Sequence, residues 1–145
     1  MSDSISSTVM AGVGVFVASQ FILKLVLEPI ISFKESLGSL SAFGLLHHSK
    51  IVNGNANSEL QHDLKIIIST LLTKKEAIPL YCIVGFFLRF PTGKKLLEGC
   101  RMLNYVGTEM NKDTARQSDS PDCIEITEHF YAAGVLLKTR VNYSE

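Results

Sequence analysis

The side chains best suited to chemistry are four histidines, His47, His48, His62 and His129, and three cysteines, Cys82, Cys100 and Cys123. Glu59 and His62 have the Glu-x-x-His spacing with which carboxylate-bridged di-metal bundles present two ligands from one helix face. Such a centre needs a second copy of the motif, and the chain has none, so the pair reads as a solvated helix start. Glu125 and His129 stand four apart, the spacing of a surface pair on one helix. A helical nuclease that sets a His a few residues beyond an Arg uses the His as acid or base beside an Arg-bound phosphate. No His follows Arg89, Arg101, Arg116 or Arg140 in that way. GxSxG, HExxH and phosphate-loop patterns do not occur, and Gly12-x-Gly14 lacks the third glycine of a dinucleotide fingerprint. The cysteines are odd in number and without CxxC spacing, which argues for reduced thiols over a disulfide framework or a zinc cluster. The expectation is a non-catalytic chain with no metal site and no cofactor.

One cluster of charge remains. Lys74, Lys75, Arg89, Lys94, Lys95 and Arg101 surround a run of 12 uncharged residues, Ala77 to Leu88, against only Glu76 and Glu98. With Tyr81, Phe86, Phe87 and Phe90 among them, the segment could rest on an anionic membrane surface, with Lys74, Lys75, Arg89, Lys94 and Lys95 as candidate contacts. The simpler expectation is a buried helix starting at Pro79 whose solvated ends happen to be basic, because a helical bundle needs such a core helix anyway. The run is too short to cross a bilayer.

These candidates need elements to carry them. A chain of 145 residues fits one compact domain, or an anchor and one small domain. Lys+Arg and Asp+Glu both total 14, so the basic excess of a general nucleic-acid-binding surface is missing and no nucleic-acid partner is expected. At 46% hydrophobic residues the chain is too apolar to be disordered.

Between Asp3 and Lys24 run 20 uncharged residues, Ser4 to Leu23. As a helix they span roughly 30 Å, the thickness of a hydrocarbon core. The expectation is one transmembrane helix in an anchor of residues 1–28, with Lys24 snorkelling to the headgroups. A secretory signal peptide would want positive charge ahead of the run, and Met1 to Ser7 carries only Asp3. Lys24, Lys34 and Lys50 follow it, so the positive-inside rule sets residues 29–145 on the cytoplasmic side of an inner membrane. Ser7, Ala11, Gly14 and Ala18 recur at four, three and four, a stripe of small residues that lets membrane helices approach closely and is the candidate helix-association face.

Beyond the anchor the apolar period is helical. Ile30, Phe33, Leu37, Leu40 and Gly44 mark one face of a helix running to about His48, which Pro29 either kinks or starts. Asn53 to Asn57 reads as a loop. Ser58 and Gln61 form a capping-box start for a helix with Leu60, Leu64, Ile67 and Leu71 inside. Thr92 caps a helix with Leu96, Cys100 and Leu103 inside, a polar loop lies near 108–119, and Ser120-Pro121 restarts a helix with Cys123, Ile126, Phe130, Ala133 and Leu137 inside. The fold class expected is all-α, a transmembrane helix followed by a small cytoplasmic helical bundle.

The apolar anchor, Glu28-Pro29-Ile30, Ala77-Ile78-Pro79-Leu80-Tyr81 and Pro91 before another helix together resemble a family of small bacterial single-pass membrane proteins of uncharacterised activity. The likeness runs from about Phe21 to Leu103. It implies a single N-terminal membrane helix and a cytoplasmic helical domain, and brings no catalytic residue with it. The function expected is therefore a membrane-anchored interaction or adaptor module, with the lipid bilayer, an unknown protein partner and a second copy of itself as candidate partners. The alternative is a self-assembling, pore-like membrane effector, in which it resembles small accessory proteins of phage-defence systems.

Overall fold

The structure, a computed structural model, describes residues 2–110 and 121–141. Every regular element among them is helical: α1 (Ser2–Ile22), a π-helical turn (Leu23–Leu27), α2 (Glu28–Leu46), α3 (His48–Val52), α4 (Ser58–Glu76), α5 (Tyr81–Phe87), α6 (Gly93–Glu109) and α7 (Pro121–Leu137). The polar loop expected near 108–119 starts later than the sequence suggests, since α6 continues through Glu109. Its remainder, and the capping role of Ser120, lie outside the described residues.

One unbroken apolar helix, Ser6–Leu46, is long enough to cross a membrane. Residues 6–25 are all exposed, so this half buries none of its side chains against the rest of the fold. Pro29 neither breaks the helix nor starts a separate one. It has no N–H to give the Leu25 carbonyl, and its ring crowds that oxygen. The widened π turn just before it absorbs the mismatch, with the Glu28 N–H reaching the Leu23 carbonyl five residues back.

The second half of this helix is the first wall of a bundle in which α2 packs on α4, α4 on α6 and α6 on α7. Phe33, Leu40, Phe43 and Gly44 of α2 are buried there, while Ile30 and Leu37 flank them half-buried. The helix stops at Leu46, short of His48, because His47 leaves helical geometry (φ −109°, ψ 13°) and turns the chain into α3. The cap of α4 is Asn57, not Ser58: its side-chain oxygen accepts from the Leu60 N–H at 3.0 Å, and Ser58 is already helical. The buried face of α4 is Leu60, Leu64, Ile68 and Leu71, and Ile67 lies at its margin.

In α6 and α7 the apolar spacing translates directly into burial. Leu96, Cys100 and Leu103 face Cys123, Ile126, Phe130, Ala133 and Leu137 across the core. Gly99 makes this contact close, since a Cβ there would stand 2.7 Å from the Leu137 side chain. Gly44 meets Phe130 and Val141 in the same manner and closes the bundle between α2 and the C-terminal segment. That segment leaves the helix at Lys138, and the Ser41 hydroxyl ties it to α2 by donating to the Arg140 carbonyl.

Candidate membrane-docking face

The core places Ala77 to Leu88 differently from the simpler expectation. α4 ends at Glu76 because Ile78 precedes Pro79, which disfavours helical geometry in the residue before it and offers no N–H of its own. Leu80 then turns the chain through the left-handed region (φ 53°), and its carbonyl accepts from Ile83 and Val84 to start α5. The helix therefore begins at Tyr81, not Pro79, and is seven residues long.

Only one side of it reaches the core. Ile78 and Gly85 are buried, Tyr81 and Val84 are half-buried, and the Tyr81 hydroxyl donates to the Pro91 carbonyl at 2.7 Å. Phe33 of α2 receives the rings of Tyr81 and Phe90 edge-on, with centroids 5.7 Å and 5.1 Å away. The opposite side is bare: Leu80, Ile83, Phe86 and Phe87 are exposed, the two phenylalanines at 82% and 78%. Residues 77–88 are thus no core helix. Two adjacent solvent-facing phenylalanines with two aliphatic neighbours form a contiguous apolar patch of the kind that marks an interaction surface.

The start of the 77–88 segment sits where the long helix leaves its bare half. Lys74 donates to the Ser32 carbonyl at 3.2 Å, and Lys74 and Ala77 share a hollow with Lys24, Glu28, Pro29 and Ser32. The end of α4 and the start of α5 are consequently pinned one turn beyond the π turn.

The basic residues expected around the segment divide into two groups. Lys74 and Lys75 are half-buried and already engaged: Lys75 pairs with Glu76 at 2.6 Å and lies 5.8 Å over the Tyr81 ring. Arg89, Lys94 and Lys95 are exposed, and Arg101 is exposed farther along α6. Spacing did not suggest Lys138. Its ammonium donates to the Arg89 carbonyl at 2.9 Å, and it lines with Arg89, Tyr81, Phe86 and Pro91 a hollow of about 340 Å³ beside α5. Nothing in the sequence links positions 89 and 138, because only the antiparallel packing of α6 on α7 returns the end of α7 to this corner. Burial against Phe33 and Phe90, with a lesser contribution from Cys82, raises the Tyr81 hydroxyl from its ordinary value of 10.0 to about 12.

No family model, no curated protein and no solved structure matches this chain. The remaining chemical candidates are dispersed by the fold. Glu59 and His62 are exposed at the start of α4, and among the described residues no group of three metal-ligating side chains forms. His129 bonds the Glu125 backbone carbonyl at 2.9 Å instead of its carboxylate, and stacks near Tyr105. His48 shares a 2.8 Å hydrogen bond with the Tyr131 hydroxyl, joining α3 to α7. Cys100 and Cys123 are buried and Cys82 is exposed, and none of the three is in a disulfide. The small-residue stripe Ser7, Ala11, Gly14 and Ala18 lies on the bare half of the long helix, with nothing within 4 Å of a Cβ built at Gly14.

Proposed function

We propose that this chain is a non-catalytic, membrane-anchored adaptor: α1 crosses the bilayer, and the bundle lies against the cytoplasmic surface with α5 set into the headgroup layer. The observation that carries this reading is the bare apolar side of α5, on a segment that starts beside the exit of the long helix. A half-inserted phenylalanine pair is worth on the order of 2 kcal/mol or more. Each neighbouring cation adds about 1 kcal/mol on an anionic leaflet. Because α1 already confines the bundle to the surface, these modest terms suffice to fix its orientation and present the far end, around α3 and the His48–Tyr131 bond, to a protein partner. Lys24, Lys34 and Lys50 after the apolar run support the cytoplasmic orientation at an inner membrane.

The chain has no tryptophan, so Phe87→Trp introduces a single indole that can be excited apart from the four tyrosines. In liposomes containing lipids brominated near the headgroup, its emission is expected to be blue-shifted and quenched. Emission typical of water with no quenching would sink the docking reading.

A second reading, self-association of the membrane helices, is favoured by the small residues Ser7, Ala11, Gly14 and Ala18 at helical spacing on the exposed half of the long helix. Subunit counting in lipid discs tests it, and a closed ring of six or more copies would replace the adaptor by a pore-like effector.

A further inference from the structure

We infer that the groove between α2, the α5–α6 corner and the segment after α7 holds the phosphate headgroup of an anionic phospholipid, a step that rests on α5 facing the bilayer. Lys34 enters it from α2, Arg89 from the corner, and Lys138 and Arg140 from the C-terminal segment. The groove encloses about 330 Å³, within the range of small-molecule sites, and no acidic residue lines it. Among the described residues no carboxylate pairs with any of the four. In a chain with 14 acidic and 14 basic residues, four cations around one acid-free groove are a local excess suited to a phosphodiester.

The wall that bears them is braced. Lys138 bonds the Arg89 carbonyl, and the Ser41 hydroxyl bonds the Arg140 carbonyl, so corner, segment and α2 are held together before any ligand arrives. Leu88 is exposed and lines the same groove, next to Phe87 on the bare side of α5. A phosphate held by the cations therefore has an apolar path for its acyl chains along Leu88 to the phenylalanines. A soluble phosphoester would leave that path unused, which is why the lipid is the occupant proposed.

The full chain in detergent, offered dioleoylphosphatidylglycerol and dioleoylphosphatidylcholine at equal concentration, is read by native mass spectrometry. The phosphatidylglycerol adduct is expected in roughly tenfold excess, and K34Q/R140Q should bring it close to parity with phosphatidylcholine. Both side chains are exposed, so the core is untouched by this variant. Equal retention of the two lipids, or an unchanged preference in the double variant, overturns the headgroup site. Displacement of phosphatidylglycerol by an equal concentration of glycerol 1-phosphate overturns the lipid as its source. If Phe87→Trp is quenched by brominated lipid but the preference is missing, the groove alone fails. If that tryptophan stays in water, the docking reading fails and the headgroup site falls with it.

Discussion

Lys138 and Arg89 meet through one hydrogen bond, ammonium to carbonyl at 2.9 Å, and each occupies the left-handed position just past a helix end. After α7 the Thr139 N–H bonds the Gly134 carbonyl and the Lys138 N–H bonds that of Val135, the two bonds of a Schellman cap. After α5 the Phe90 N–H closes the equivalent outer bond to Gly85. Glycine is the usual residue at such a position because a Cβ there is strained. Here both caps carry a cation, and the two cations flank one groove. Strain of this kind at adjacent residues points to a use for the side chains.

It follows that Arg89→Gly should stabilise the fold while weakening its preference for anionic lipid. Relief of left-handed strain is worth about 1 kcal/mol, partly offset by the freer unfolded chain. The melting temperature followed by circular dichroism in detergent should rise by up to a few degrees. The phosphatidylglycerol adduct should fall by about fivefold. A drop in melting temperature would mean that Arg89 serves the fold and not the lipid.

Exposure separates the two aromatic layers of α5. Phe86→Asp should leave the unfolding transition within about 0.5 kcal/mol of wild type, since its ring is on the surface. Phe33→Ala removes a fully buried ring that holds both Tyr81 and Phe90, and should cost about 3–5 kcal/mol. Denaturant unfolding of both variants in the same detergent tests the pair. Equal destabilisation by both would return α5 to the core.

How far the sequence reaches is visible in these same residues. The helical period of Leu96, Cys100 and Leu103, and that of the Cys123 to Leu137 face, predicts burial correctly because one side of each helix is plainly apolar. Around α5 the sequence is apolar on both sides, so periodicity cannot tell the face against Phe33 from the face toward solvent. That distinction needs the left-handed turn at Leu80, which propensity disfavours for a leucine. The groove is less legible still, since Lys34, Arg89, Lys138 and Arg140 come together only through the packing of α2, α6 and α7. Shorter-range errors have local causes. Asn57 outcompetes Ser58 as the cap because its extended backbone aims the side-chain oxygen at the Leu60 N–H.

Two glycines should respond oppositely. Gly99→Ala puts a methyl 2.7 Å from Leu137, wedges α6 from α7, and should cost about 1–3 kcal/mol by denaturant unfolding. Gly14→Leu meets open space, so the bundle should melt as in wild type. If the stripe with Ser7, Ala11 and Ala18 carries self-association, the leucine variant should lose oligomer in native mass spectrometry. An oligomer unchanged in Gly14→Leu would move the interface to another surface.

Alkaline pH should report on the packing of α5 against α2. The Tyr81 hydroxyl is raised to about 12 in the fold from its ordinary 10.0, chiefly by burial. A phenol whose proton is held more tightly when folded contributes stability that is complete below pH 10 and declines as pH rises through about 12. Buried Cys100, raised from 9.0 to about 11, acts in the same direction over a lower window. Stability measured by urea unfolding should therefore fall steadily above pH 9, and Tyr81→Phe should flatten the part between pH 10 and 12. The phenylalanine variant also loses the bond to the Pro91 carbonyl, so it should be weaker than wild type by about 1 kcal/mol at neutral pH. The gap should close as the pH approaches 12, where wild type gives up its own advantage. A gap that stays constant across that range would show that Tyr81 titrates as freely in the fold as in the unfolded chain, and that α5 is not seated on Phe33.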